Sequence, residues 1–388
     1  MEIRSKRKTT VMGNPLKIGI VSPYDYSAFG GVNDHISNLA EQFLISGHDV
    51  KILAPNSHQS GVDKNVISLG GVIPIPSGGA IAKVSLSIWL RSKIQALLEE
   101  EQFYIVHLHE PFAGAITMNI LSVLPSVKTK AFATFHTLDV TPLYKIGTRI
   151  GAKGIALRYF NRIDGRIAVS KPCESFITKY FPGKYEIIPN GVNIKQFQKA
   201  KPYQKFKDDK VNILFVGRLE KRKGFRYLLG AYSSLKWTHP QTRLLVVGSS
   251  EPDAYSQRMI SERNIKDVVF VGGISNSAKA RFYKTADIFC SPATGRESFG
   301  IVLLEAMASN CPIIASNIPG YASVISHGID GHLIKPKHET SINNALVKLI
   351  DDPEYRESLV NNASETVLNY DWSNISNRIL DYYKCKMG

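Results

Sequence analysis

Apolar residues along this chain fall into two alternating textures: short unbroken runs, and longer stretches spaced three and four apart. LKIGIVSP (16–23) is a run of the first kind, closed by proline, and predicts a buried strand. DHISNLAEQFLISG (34–47) then places Ile36, Leu39, Ala40, Phe43 and Leu44 at helical spacing and stops at Gly47. HDVKILAP (48–55) predicts a second strand. A Gly/Pro-rich stretch (69–79) reads as loop, and IAKVSLSIWLRSKIQALLEE (81–100) as a helix. YIVHLHEP (104–111), TKAFATFHT (129–137) and GRIAVS (165–170) predict further buried strands, each ending in polar residues.

Near residue 200 the texture changes. KQFQKAKPYQKFKDDK (195–210) is polar, basic and broken by Pro202, as a linker would be. The alternation then restarts, with strands at 211–218, 242–250, 268–273, 287–292 and 312–316 and helices at 225–237 and 298–310. This is the α/β pattern of parallel sheets wrapped by helices, and two such series imply two Rossmann-like, doubly wound domains facing a cleft. The expected boundaries are 14–200 and 208–370, with a C-terminal helix at about 371–388 packing back on the first domain. No internal repeat or low-complexity tract interrupts the pattern. Residues 1–13, basic and without an apolar core, read as a disordered leader rather than a secretory signal.

Composition narrows the classes. At 388 residues, 44% hydrophobic and 21% charged, the chain has material for two cores and no run of about 18 apolar residues that would span a membrane. Cys173, Cys290, Cys311 and Cys385 lie far apart without a C-x-x-C pair. Reduced thiols, a cytoplasmic setting and no structural zinc follow as expectations. The net charge of +15 favours anionic partners. It is concentrated between 141 and 184, where Lys145, Arg149, Lys153, Arg158, Arg162, Arg166, Lys171, Lys179 and Lys184 face only Asp164 and Glu174. A solvated surface, nucleic acid and an anionic membrane are the readings of such a run. The basic residues share no helical face and no nucleic-acid motif accompanies them, so nucleic acid is not expected. With the amphipathic stretch IAKVSLSIWLRSKI (81–94), a membrane surface is.

Candidate chemistry sits at strand ends, where ligands bind in doubly wound sheets. Gly30 and Gly31, ahead of a helix, allow close approach of backbone to a ligand, although such a pair also serves plain turns. In GRLEKRKG, Arg218 and Lys223 follow a strand and are placed to clamp a diphosphate; the alternative is a solvated basic loop. In RESFGIVLLEAMA, Glu297 precedes a helix that begins near Ser298 to Gly300 and whose free N–H groups suit a phosphate. Glu305, eight residues on, lies inside an apolar run and there requires a polar ligand or a buried partner. His136 ends a strand, and Asn190-Gly191 forms a turn; both are common structural features.

Taken together, GGV (30–32), FHT with His136, PNGV (189–192), GRLEKRKG and the E-x7-E motif from Glu297 to Glu305 resemble the retaining GT-B glycosyltransferases of family 4, over nearly the whole chain. PYDYSAFGGVNDHI, GGVIPIP, VHLHEPF, ATFHT, GRIAVS, ESFGIVLLEAMA and YDWS are similar to segments of bacterial phosphatidylinositol mannosyltransferases. The resemblance implies a GT-B fold and hexose transfer with retention, from a nucleotide diphosphate sugar such as GDP-mannose to a phosphatidylinositol-type lipid. It implies no metal and no cofactor, and no Asp-x-Asp pair is present. Catalytic roles would fall to His136, Arg218, Lys223 and Glu297. Donor contacts would come from Gly31, Asn190, Arg218, Lys223, Glu297, Phe299, Gly300, Ile301, Val302 and Glu305, the last at the ribose. Acceptor contacts would come from Tyr24, Asn33, Thr141 and Lys145. Thr141 stands where those enzymes carry a lysine for the lipid phosphate, and Asn33 replaces a glutamine, so Lys145 becomes the candidate phosphate contact. The enzyme would work peripherally at the inner face of the cell membrane. The rival expectations are a family 4 transferase with another donor and a polysaccharide or other glycolipid acceptor, and a silent binder of lipid or nucleotide sugar.

Overall fold

The computed structural model describes residues 14–28, 30–57, 64–77, 80–84, 90–138, 153–249 and 251–387. Its first sheet has seven parallel strands: β1 (Lys17–Val21), β2 (Asp49–Ala54), β3 (Val66–Ser68), β6 (Ile105–His109), β7 (Lys130–Phe135), β8 (Gly165–Ala168) and β9 (Glu186–Ile187). A hairpin, β4 (Ile73–Ser77) with β5 (Ala80–Val84), stands apart from it. The second sheet has six parallel strands: β10 (Val211–Val216), β11 (Thr242–Val247), β12 (Val268–Gly272), β13 (Ile288–Ser291), β14 (Ile313–Ser316) and β15 (His332–Ile334).

The spatial orders are β3-β2-β1-β6-β7-β8-β9 and β12-β11-β10-β13-β14-β15. Each order reverses beside its first strand, at β1/β6 and at β10/β13, which makes these the topological switch points where doubly wound sheets take ligands. Helices cover both faces, so strands such as β6, β13 and β14 are buried throughout. That burial is why they read as unbroken apolar runs.

The C-terminal helix Trp372–Met387 lies on the first sheet, not the second. Trp372, Ile375, Ile379 and Tyr383 share a core with Ile18, Phe132 and Ile167. Tyr383 Oη meets His107 Nδ1 at 2.6 Å, and the Tyr382 hydroxyl accepts from Arg166 N–H at 3.0 Å. Burying an aromatic side chain of this size contributes about 2–3 kcal/mol, so Trp372 and Tyr383 tie the chain's end firmly to its beginning.

Two expectations need correction. The stretch 81–100 is not one helix: Ala80–Val84 pairs antiparallel with Ile73–Ser77, and the helix runs Arg91–Glu101. The β-branched residues Ile73, Ile75, Ile81 and Val84 favour strand. The segment 195–210 is also more than a linker. Ile194 and Phe197, three apart, bury one face of the short helix Ile194–Lys199, and Phe206 packs against Phe282. The leader 1–13, Thr141 and Lys145 lie outside the described residues. Of the basic run, Arg162 Nη1 donates to the carbonyls of Leu121 and Ser122, Arg166 stacks on Phe160 at 4.0 Å, and Lys171 pairs with Glu174. Arg158, Lys179 and Lys184 are exposed.

Candidate active site

Both switch points open toward each other. Gly31 begins the helix Gly31–Ile45 after β1, and a Cβ there would sit 3.6 Å from Ile301, the first residue of the helix Ile301–Ala308 in the second half. Ser170 Oγ, at the end of β8, donates to the Ser298 carbonyl at 2.5 Å. The segments after β1 and β8 therefore meet the segment after β13 across one cleft.

On the second-half side the charges form a chain. Glu220 forms an ion pair with Arg218, Nε to Oε1 at 2.9 Å, and accepts from Arg222 Nε at 2.8 Å. Arg222 Nη1 continues to Glu297 Oε1 at 2.5 Å, and Lys223 Nζ reaches the same oxygen at 2.8 Å. Three cations against two carboxylates leave this loop pair positive. Gly224 ends the turn with φ +74°, and a Cβ there would lie 1.9 Å from the Pro292 carbonyl oxygen, so only glycine lets the two loops close.

Beside them, Gly300 precedes the helix at φ +106°, packed on Tyr321, which fixes the direction of the free N–H groups that follow. The Phe299 side chain is core, facing Tyr370, so that residue offers the site its backbone alone. Val302 accepts Tyr283 Oη at its carbonyl, 3.2 Å away. Glu305 has the buried partners its position required: Lys279 Nζ at 2.5 Å and Tyr283 Oη at 3.0 Å. Burial alone pulls the Lys279 ammonium down, but Glu305, with Asp34, lifts it above the usual lysine range.

On the first-half side, three imidazoles from β6 and the residue after β7 stack, and a fourth, from the helix Gly31–Ile45, lies against them. His107, His109 and His136 follow one another with ring centroids 4.5 and 5.1 Å apart, and His35 meets His136 edge-on at 4.7 Å. His109 Nδ1 bonds His136 Nε2 at 2.8 Å, His35 Nδ1 bonds Asn190 Oδ1 at 3.0 Å, and His136 also hydrogen-bonds the Asn190 side chain. Burial pushes His35 down to about 4 and His107 to about 3, and holds His109 and His136 well below the usual range. The stack is therefore neutral, with the His136 ring already hydrogen-bonded to His109 and to Asn190. His35, His109 and His136 bring one ring nitrogen each within 4.8 Å of one another, but hydrogen bonds link their rings, and within the group Nε2 of His35 and of His109 is left unpartnered. Gly191 lets Trp372 close over the Asn190 turn; a Cβ would stand 2.5 Å from its ring.

Asn33 spends its amide on the loop after β1. It donates to the carbonyls of Asp25 and Ala28 at 2.8 and 3.0 Å and accepts from Ser22 Oγ at 2.9 Å. Tyr24 bridges to Val84 of the hairpin, and burial, with Glu110 nearby, raises its phenol far above the usual range. Sequence reasoning missed Arg222, Lys279, His35, His107, His109 and Glu110. His107 and His109, two apart in a strand, already share a face. What places them beside His136 is the parallel register His109↔Thr134.

Two facing doubly wound sheets, with a positive loop pair and a helix start at one switch point and a buried polar stack at the other, define a glycosyltransferase of the GT-B class. The family profile described as "Glycosyltransferase Family 4" matches residues 29–196, and "Glycosyl transferases group 1" matches 196–366. The chain belongs to this family. It is 32% identical over 370 residues to the phosphatidyl-myo-inositol mannosyltransferase of Mycobacterium leprae, covering 95% of this chain and 96% of that one. To the enzyme of the same name in Propionibacterium freudenreichii it is 29% identical, covering 95% and 94%. Among solved structures, a glycosyltransferase from Rickettsia africae superposes with a TM-score of 0.77 at 20% identity, covering 97% of this chain and 99% of that one. Anabaena Alr3699/HepE in complex with UDP and glucose superposes at 0.74 and 17%, covering 95% and 100%.

Proposed function

We propose that this glycosyltransferase moves mannose from GDP-mannose to a phosphatidylinositol-type lipid at the inner face of the cell membrane, with retention and without a metal or cofactor. The observation that carries the reading is the Glu297 carboxylate held by Lys223 and Arg222 at the mouth of the Ile301–Ala308 helix. A sugar diphosphate lying there would set its phosphates against Arg218, Lys223 and the N–H groups near Ile301. Charge growing on the departing diphosphate would meet fixed cations and dipoles. Glu297 would then be released toward a hydroxyl of the transferred sugar, and Glu305, steadied by Lys279, would face the ribose. The leaving phosphate would take the acceptor proton on the same face, with the neutral His136 against the sugar. Tyr24 and the loop shaped by Asn33 would border the acceptor, with Lys145 as the expected contact to its phosphate. Relatives named for mannosyl transfer to phosphatidyl-myo-inositol, matched end to end at about 30% identity, support this choice of substrates.

The test is release of nucleoside diphosphate from GDP-mannose, with and without phosphatidylinositol, beside UDP-glucose. Release that needs both GDP-mannose and the lipid supports the reading. Release from another donor, or without regard to the lipid, would keep the glycosyltransferase and overturn these substrates.

A further inference from the structure

One buried carboxylate in the cleft has no role in that reading. Glu110 follows the last residue of β6, at the first sheet's switch point, in the left-handed region at φ +46°. Its main chain is pinned from both sides: its N–H donates to the Thr134 carbonyl at 3.0 Å, and its carbonyl accepts from Ala113 N–H at 2.9 Å. The side chain turns inward rather than to solvent and is only 9% exposed. There Oε1 accepts the backbone N–H of His136 at 2.5 Å, and the carboxylate also takes the N–H and hydroxyl of Thr137. None of these partners carries a positive charge. A strained backbone and a buried carboxylate with three neutral donors are kept together where they serve a site.

We propose that Glu110 is a positioning residue for glycosyl transfer: it grips the strand-end turn His136–Thr137 and so fixes where His136 meets the sugar. The ring of His136 is oriented by His109 and Asn190, but its backbone is located by Glu110. An error of about 1 Å at such a point costs on the order of 100-fold in rate. The proposal rests on the reading of His136 at the reacting centre.

The grip titrates near neutrality. Burial pushes the Glu110 carboxyl up to about 7, against the lowering effect of the donors from His136 and Thr137. The titratable groups facing it are Tyr24 from the loop after β1, Cys173 from the helix Lys171–Ile177, and His136. All three are uncharged at neutral pH, because burial lifts the phenol and the thiol and lowers the imidazole. Ionised, Glu110 accepts from all its donors; protonated, it must turn an O–H among them.

The experiment compares wild type, Glu110→Gln, Thr137→Val and His136→Ala, with the donor and acceptor the wild type turns over, from about two units below to about two above neutrality. Wild-type kcat is expected to fall on the acid side with a midpoint near 7. Glu110→Gln should lose that limb and lower the plateau by roughly 10- to 100-fold, with donor KM within about twofold. Thr137→Val, which removes a donor that favours the ionised form, should move the limb to higher pH. An unchanged kcat and limb in Glu110→Gln would overturn the proposal. Where that variant fails to fold, an unmoved limb in Thr137→Val does the same. Wild-type turnover in His136→Ala would instead overturn the reading on which it rests.

Discussion

Lys223 holds its ammonium 2.8 Å from Oε1 of Glu297, joining the loop after β10 to the loop after β13 across the second switch point. The pair is part of a network in which Arg222 shares the same oxygen, so neither Lys223 nor Glu297 acts alone. Donor phosphate arriving at Lys223 would compete with Glu297 and release it toward the sugar. Glu297→Ala and Lys223→Ala are each expected to lower kcat by about 10²–10³-fold with the fold retained. The double variant should fall little further than either single one, because the two serve one step. Steady-state kinetics with thermal unfolding checks this; multiplicative losses would show two independent sites.

Gly320 is far from the cleft in sequence, yet it bears on Glu297 directly. A Cβ at Gly320 would stand 1.9 Å from the Glu297 carbonyl oxygen and 3.0 Å from the carbonyl carbon of Ser298. Backbone cannot give way as a side chain would. Gly320→Ala is therefore expected to displace the Glu297 loop, lowering kcat by at least about tenfold and the stability by about 1–3 kcal/mol. Wild-type kcat and Tm in this variant would mean that the loop is not held by that contact.

The histidine stack makes stability depend on pH. His35, His107, His109 and His136 are buried and neutral, with folded-state affinities for protons well below the unfolded value near 6.5. Between about pH 6.5 and pH 4 the unfolded chain binds more protons than the folded one, so stability is present above 6.5 and is lost as pH falls. Each group contributes up to about 1.4 kcal/mol per pH unit over that window. Glu110, raised toward 7, works in the opposite direction, but as one group against four. Denaturant unfolding across this range should show a steep acid loss that His107→Gln makes shallower; a flat profile would mean that the stack is hydrated.

The strands were legible because parallel sheets covered on both faces leave unbroken apolar runs, as in β1, β10 and β13. The hairpin was not, because Pro74 and Pro76 make β4 look like loop, while the apolar residues of β5 run on toward the next helix. At the site, the same distinction holds. Glu305 betrayed a buried partner by standing in VLLEAMA, although Lys279 itself was not foreseeable. Glu110, within VHLHEPF, gave no sign of its role. Its partners His136 and Thr137 lie one strand away, and only the register of β6 against β7 brings them to it.

Membrane association can be tested on basic residues that the fold leaves exposed. Arg162 and Arg166 are committed to carbonyls and an aromatic ring, and Lys171 to Glu174, so their charges belong partly to the protein itself. Lys179 and Lys184 are exposed on the first domain, close in sequence. A lysine near an anionic leaflet contributes about 1 kcal/mol, roughly fivefold in affinity, and the attraction is screened within a Debye length of about 8 Å at physiological salt. Replacing both lysines by glutamine should weaken binding to phosphatidylinositol-containing vesicles by roughly 25-fold at low salt. At about 1 M salt the variant and the wild type should converge. Replacing Arg162 by glutamine should instead lower Tm, since it strips two carbonyls of their donor. Vesicle sedimentation at two salt concentrations separates these outcomes; equal binding by the wild type and the double variant at low salt would place the membrane contact elsewhere on the chain.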